Sequence, residues 1–262
     1  MSFISTKEEQ ELTKVLKLAG EILLKYWPGK EIRSDSFDIK QKSDGSFVTN
    51  ADFESNELII NALKEIFPND GILSEEIPFS NELLKHQRIW VLDPLDGTKS
   101  FIDGNDDFSI LLSLTVDGDS KVGFIYFPAR NEFCVAQETK GSLINGACSK
   151  VSNFSAIREE SIYFRNFEPT DKKLFYPRWM DSGCALINLS RGNFDGIILK
   201  LTTHREWDLA APAIAIMESG GQVSDENGNQ IKFNKGKMDC GYFVASNTLC
   251  HGELLKIVKE IK

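Results

Sequence analysis

Asp93 and Asp96 stand three residues apart in the stretch W-V-L-D-P-L-D-G-T-K-S-F-I-D-G, from Trp90 to Gly104, directly after the apolar run Ile89, Trp90, Val91 and Leu92. That run suits a buried strand, and Pro94 with the Asp96-Gly97 pair stops it abruptly. Two carboxylates are therefore left at a strand end. Pro94 holds Asp93 out of the helical region and lacks an N–H, so the link between the acids is stiff and the Leu95 carbonyl can face the same way. Three oxygen ligands in this pattern suit a hard cation such as Mg2+, which takes about six oxygens and keeps several waters. The residues that follow suit an anion. Gly97 permits close backbone approach, Thr98 supplies a hydroxyl, and Lys99-Ser100-Phe101 reads as a first helical turn with free N–H groups. A plain strand, turn and helix cap is the simpler alternative for this stretch taken alone. The D-x-D-G-T mechanism of haloacid-dehalogenase-type phosphatases is excluded here, because its nucleophilic Asp would occupy position 94, which is Pro94.

The elements that must position these groups follow from periodicity. From Lys7 to about Trp27 the positions Leu12, Val15, Leu16, Ala19, Ile22, Leu23 and Tyr26 follow a helical period, ended by Pro28-Gly29. Residues 30 to 48 are polar and predict a loop or hairpin carrying Lys40 and Lys42. A second amphipathic helix follows, capped by Thr49 or Asn50, with Asp52 in its first turn, where an acid also suits the helix dipole. The run I-L-S-E-E repeats the strand-then-acid pattern, and side-by-side strands would bring Glu75 to the edge that carries Asp93 and Asp96. An exposed pair at Glu75 and Glu76 is the alternative. Beyond Gly104 the chain predicts consecutive antiparallel strands, a turn at Asn145-Gly146 and a short strand at Ser161 to Phe164. Residues 165 to 182 are rich in charge, proline and aromatics and carry no readable pattern. After Gly183 come a short helix, the strand I-I-L-K-L, and E-W-D-L-A-A-P-A-I-A-I-M-E-S-G-G. The last reads as a buried helix with Asp208 as its N-cap and Pro212 in its first turn. A hairpin around Asn227-Gly228, a strand at Tyr242 to Ser246 and a helix from Thr248 complete the chain.

The 262 residues suffice for one large unit or two small ones, and 41% hydrophobic content supports a packed core. A net charge of -9 argues against a broad nucleic-acid face. Five cysteines, widely spaced and without a C-x-x-C pair, predict free thiols in a reducing cytoplasm. The acidic N-terminal segment has no apolar signal core, and no stretch approaches the length of a membrane span, so export and membrane association are not expected.

Taken in order, V-T-N-A-D, G-I-L-S-E-E, W-V-L-D-P-L-D-G-T-K-S-F and E-W-D-L-A-A-P-A-I-A-I-M-E-S-G-G resemble the inositol monophosphatase superfamily of lithium-sensitive phosphatases, over nearly the whole chain. The resemblance implies an α/β fold, the layered α-β-α-β-α sandwich of the inositol monophosphatase/fructose-1,6-bisphosphatase type. Residues 1–150 would hold most metal ligands, and 151–262 would hold Asp208 and the substrate side, sharing one active site. It implies a homodimer that hydrolyses a small phosphate ester with two or three Mg2+ ions. By motif, Glu75, Asp93, the Leu95 carbonyl, Asp96 and Asp208 would hold the metals. Glu75 and Thr98 would position the attacking water, and Asp52 with Lys42 would support the outer metal. Gly97, Thr98 and Lys99 would grip the phosphate, with Arg205 farther out on the substrate.

Inositol phosphatases of the superfamily usually place a Glu several residues before the W-D pair. Here that segment is Leu201-Thr202-Thr203-His204-Arg205, and the motif forms look closer to the 3'(2'),5'-bisphosphate nucleotidase branch. Inositol-1-monophosphatase and histidinol-phosphate phosphatase are the alternatives. A metal- and anion-binding pseudo-enzyme is the alternative of a different class, and retention of Asp93, Asp96, Thr98 and Asp208 speaks against it.

Overall fold

A computed structural model describes residues 2–29, 40–41, 47–169, 171–234, 236 and 238–261. Helix α1 (Thr6–Tyr26) starts at Ser5, whose side chain accepts from the Glu8 N–H while Glu8 returns the bond. Its face of Leu12, Leu16, Ala19 and Leu23 is buried, as the period predicts. Strands β1 (Lys40–Gln41) and β2 (Phe47–Val48) pair antiparallel, and Lys42 lies outside the described residues. Helix α2 (Asn50–Ile66) is capped by Thr49 and packs beside α1.

The main sheet has seven strands in chain order: β3 (Gly71–Ser74), β4 (Arg88–Asp96), β5 (Ser109–Val116), β6 (Asp119–Phe127), β7 (Glu132–Gln137), β8 (Gly141–Ile144) and β9 (Ala147–Cys148). Strands β3 and β4 run parallel and the rest antiparallel. The turn at Asn145-Gly146 falls between β8 and β9, as expected. Short helix α3 (Thr98–Ile102) leaves the end of β4. The second sheet orders β10 (Ile162–Arg165), β11 (Gly196–Lys200), β13 (Tyr242–Ser246) and β12 (Gln222–Ser224). Helices α4 (Ser182–Ser190) and α5 (Glu206–Glu218) lie between the sheets, and α6 (His251–Glu260) covers the second sheet. The layers alternate helix, sheet, helix, sheet, helix. One apolar core joins α1 and α2 to the main sheet through Trp90, Leu92, Phe101 and Phe124. Another joins α4 and α5 to the second sheet through Leu186, Leu209 and Ile197.

Two readings near α5 need correction. Asp208 is the third residue of the helix rather than its N-cap, a position filled by Arg205, and the Asp208 Oδ2 accepts from the Arg205 N–H at 2.6 Å. Pro212 therefore sits in the helix interior instead of the first turn, where it removes the N–H that would bond the Asp208 carbonyl. The apolar tertiary environment outweighs that local loss, for Pro212 is buried with Ala210, Ala211 and Ala213. The turn at Asn227-Gly228 exists, with the Asp225 carboxylate accepting from the Asn227 and Asn229 N–H groups. It does not close a two-strand hairpin, because β12 pairs with the later strand β13.

What seats α5 against the main sheet is Gly123 of β6. A Cβ there would lie 2.6 Å from Ile214 Cγ2 and 2.8 Å from the Ala211 carbonyl oxygen. Gly123→Ala is expected to destabilise the fold by about 1–3 kcal/mol through overpacking. A urea titration checks this, with a lower midpoint at unchanged slope as the expected result.

Candidate metal and phosphate site

In a regular strand, residues three apart face opposite sides of the sheet. Asp93 pairs with Leu111 and Asp96 with Ser109, so β4 carries one residue more than β5 across this interval. The bulge at Pro94-Leu95 returns both carboxylates to one face, and proline is tolerated there because a bulge has no ladder bond to donate. Asp208 arrives from the first turn of α5. One carboxylate oxygen from each of Asp93, Asp96 and Asp208 lies within 4.8 Å of the others. Glu75 follows β3, and its N–H donates to the Leu92 carbonyl at 3.1 Å, extending the parallel ladder into the acids. It lines the same cavity as the three aspartates and the Leu95 backbone.

Asp93 and Asp208 are each aimed by a neighbouring backbone N–H, and Asp96 Oδ2 accepts from the Ser109 hydroxyl at 3.4 Å. Asp93 Oδ1 accepts from Leu95 N at 3.0 Å, and Asp208 is held by Arg205 N as above. Sequence reasoning missed a further acid, Asp181. It is the N-cap of α4, accepts from Gly183 N at 3.1 Å, hydrogen-bonds the Asp96 side chain and is 8% exposed. The readable signal was an Asp directly before the small-residue start of an apolar helix.

Burial dominates the electrostatics. It pushes Asp93 well above the ordinary carboxylate range, and the charges of Glu75, Asp96 and Asp208 add to it. Asp96 is raised by burial and then by Asp181 and Asp208, while Asp181 is raised by burial against its bond to Asp96 and the Arg165 charge. Asp208 is pushed from 3.8 up to about 7 by burial first and Glu75 second. Oxygen-only donors that are crowded, dehydrated and mutually repelling fit a hard divalent cation, whose charge would compensate them.

Asp52 is placed differently. It is 1% exposed, and its Oδ2 accepts from Thr49 N at 2.8 Å and Thr49 Oγ1 at 2.7 Å. Burial raises it to about 7 against those bonds, with Glu76 and Glu75 contributing, so it feels the acid cluster while Thr49 holds its carboxylate.

Gly97 caps α3 at φ +80°, and a Cβ there would meet the Asp107 carbonyl at 2.6 Å, so glycine is required. The Thr98 hydroxyl donates to the Leu95 carbonyl at 3.1 Å. Lys99 lines the cavity, but its ammonium pairs with Asp103 at 2.5 Å. The cavity, about 860 Å3, has a second wall of opposite character formed by Arg165, Trp179, His204, Arg205 and Trp207. His204 donates to or accepts from Ser182 Oγ at 3.0 Å through Nε2, and burial followed by Arg165 and Arg205 pushes it down to about 4, so it is neutral at pH 7. Neither Arg191 nor Lys200 lines this wall, although both are near in sequence; Arg191 pairs instead with Glu132 on the main sheet. The cysteines at 134, 148, 184, 240 and 250 are free thiols. Among the described residues no helix is long and apolar enough to cross a membrane.

Comparison with known proteins agrees with this geometry. The model of the inositol monophosphatase family matches residues 7–262. A fructose-1,6-bisphosphatase/inositol-1-monophosphatase of Thermotoga maritima is 30% identical over 258 residues, covering 95% of this chain and 94% of the relative. A histidinol-phosphatase of Chlorobaculum parvum is 30% identical over 238 residues, covering 86% and 88%. Among solved structures, a Thermotoga maritima IMPase superposes with a TM-score of 0.78 at 27% identity, with 94% of each chain covered. An IMPase/NADP phosphatase complexed with Mg2+ and phosphate shares the fold with a TM-score of 0.79 at 21% identity, covering 95% and 94%.

The raised acids fix a pH dependence. Asp52 and Asp208 go from 3.8 to about 7, so the folded protein binds more protons than the unfolded chain between those values. Stability of the metal-free protein from these groups is therefore fully present below about pH 4 and is lost as pH rises toward 7. A bound cation offsets that loss. Thermal unfolding with Mg2+ or with chelator is expected to give a larger Mg2+ gain at pH 7.5 than at pH 5. Equal gains would count against a metal site built from these acids.

Proposed function

The chain belongs to the inositol monophosphatase family of phosphate monoester hydrolases, and from that premise we propose a finer reading, a Mg2+-dependent 3'(2'),5'-bisphosphate nucleotidase. The observation that carries it is one cavity lined both by carboxylates at Glu75, Asp93, Asp96 and Asp208 and by guanidiniums at Arg165 and Arg205. Glu75, Asp93, the Leu95 carbonyl, Asp96 and Asp208 would hold two or three ions. When bound, these neutralise the phosphate's charge and make water more acidic.

The remaining work falls to this chain's own groups, because phosphoryl transfer depends mainly on positioning and electrostatics. Thr98 gives its proton to the Leu95 carbonyl, so its lone pairs are left to accept from the attacking water beside Glu75. No strong base is needed. The Gly97 and Thr98 backbone would hold the reacting phosphate close to the acids, and Asp52 with Lys42 would support the outer metal and its water network.

The second wall favours a substrate with another anion. Where an acid would meet ring hydroxyls, residues 201 to 205 offer Arg205, whose fork can hold a phosphate in two hydrogen bonds. A sugar bisphosphate is the second reading, supported by the same arginines and by the name of the Thermotoga maritima relative. Arg205→Ala keeps the backbone N–H that holds Asp208, so the metal ligands should stay in place.

Steady-state kinetics on adenosine 3',5'-bisphosphate and inositol 1-phosphate test both halves. Thr98→Ala is expected to lower turnover on both substrates by about 100-fold with little change in KM. Arg205→Ala is expected to raise KM at least about tenfold for the bisphosphate alone, roughly 1.4 kcal/mol of binding. Equal effects of Arg205→Ala on both substrates would remove the nucleotidase reading and leave the phosphatase chemistry intact.

A further inference from the structure

The stretch from 165 to 182, which carried no readable pattern, lends Arg165, Trp179, Asp181 and Ser182 to the lining of the cavity. Its middle is anchored by apolar packing: Phe164, Phe167 and Phe175 meet edge-on or tilted at centroid distances of 5.2 to 6.0 Å, and Phe175 is 3% exposed. Its end is pinned by hydrogen bonds. The Met180 carbonyl accepts from Tyr163 Oη at 2.5 Å and from Arg165 Nη1 at 3.2 Å.

Trp179 sits immediately before that doubly bonded carbonyl, lines the cavity and is 54% exposed. An indole left in water forgoes the burial that its large apolar area offers, and in a cavity lined mostly by charged and polar groups, with Trp207 as the other aromatic, it invites a ligand with an apolar face. The Arg165 guanidinium lies over the ring at 5.1 Å from its centroid. One guanidinium covers one face of an indole at most, so the other face is open to a flat partner. Arg165 is thus engaged twice, with the indole and with the Met180 carbonyl, whereas Arg205 makes a long 3.4 Å bond to the His204 carbonyl and is the less committed guanidinium for a remote phosphate. The cavity's 860 Å3 lies within the roughly 300–1,000 Å3 usual for small-molecule sites, so one ligand can reach both the acids and Trp179.

We propose that Trp179, backed by Arg165, is the specificity-determining platform on which the base of a nucleotide substrate stacks. This rests on the nucleotidase reading above. Inositol and sugar phosphates have no aromatic face, so the platform discriminates by the presence of a base rather than by phosphate number. Stacking on an aromatic side chain tolerates any base, and selectivity among purines and pyrimidines is expected to be modest.

Binding to the Mg2+-loaded full chain tests it with a matched pair, adenosine 5'-monophosphate and ribose 5-phosphate, which differ by the base alone. Wild-type protein is expected to bind the nucleotide more tightly. Trp179→Ala is expected to weaken the nucleotide about tenfold while leaving ribose 5-phosphate within about twofold, and Trp179→Phe is expected to restore most of the loss. Indole fluorescence adds a direct reading: the nucleotide should quench a signal that Trp179→Phe removes, and ribose 5-phosphate should not. If wild-type protein shows no preference for the nucleotide, the nucleotidase reading falls and this one with it. A preference that survives Trp179→Ala overturns the platform alone. An equal loss for both ligands makes Trp179 a structural residue of the rim and also overturns it.

Discussion

Repulsion among dehydrated carboxylates is the constraint on which the site depends. Asp93, Asp96 and Asp208 converge within 4.8 Å, and Asp181 bonds to Asp96 from behind. Burial and neighbouring charge both oppose ionisation, so the group stays together only because the fold aims each acid locally. One device recurs at four acids, an adjacent backbone N–H donating to the carboxylate, from Leu95 to Asp93, Arg205 to Asp208, Gly183 to Asp181 and Thr49 to Asp52, whereas Asp96 is held by the Ser109 hydroxyl and by Asp181. These bonds are parts of a bulge or of helix caps, so secondary structure positions most of the acids, and the side-chain bonds of Asp96 to Asp181 and of Asp208 to Asp93 add to it. The alternation of helix and sheet then brings a strand end and two helix N-termini to one point.

The opposite wall answers with positive charge and aromatic surface. Burial, with the charges of Arg165 and Arg205 adding to it, holds His204 neutral, which keeps a third cation out of a wall that already carries two. Asp208 links the two sets of groups, since its carboxylate accepts from the backbone of Arg205, which also lines the cavity. A substrate in the cavity would thus meet both the acids, with any cations they hold, and the guanidiniums of Arg165 and Arg205. This polarity suits an ester with more than one anionic group.

Much of this was legible in the chain, and the gaps have physical causes. Strand-ending acids at Glu75, Asp93 and Asp96 could be read because the pattern of an apolar run stopping in carboxylates occurs twice, although each run alone also fits a plain turn or an exposed pair, and Thr49 as a cap could be read from its side-chain chemistry. That Asp93 and Asp96 share a face was not fixed by spacing, since three residues along a regular strand would separate them; Pro94 hinted at the bulge that decides it. Asp181 escaped because its role comes from distant pairing with Asp96, and the segment before it shows no period. Pro212 misled for a related reason: local helix rules place proline in the first turn, while packing between two sheets tolerates it seven residues in. Arg191 and Lys200, near Arg205 in sequence, are carried to other surfaces by the turn of the chain.

The claim that these acids exist to hold cations is tested most directly by calorimetry of Mg2+ binding in buffers of different ionisation enthalpy. Acids raised to about 7 carry protons near neutrality, and a cation must displace them. Net proton release that grows as pH falls from 7.5 to 6 is the predicted result. Binding heats that do not depend on the buffer at any pH in that range would mean that Mg2+ does not bind at this cluster.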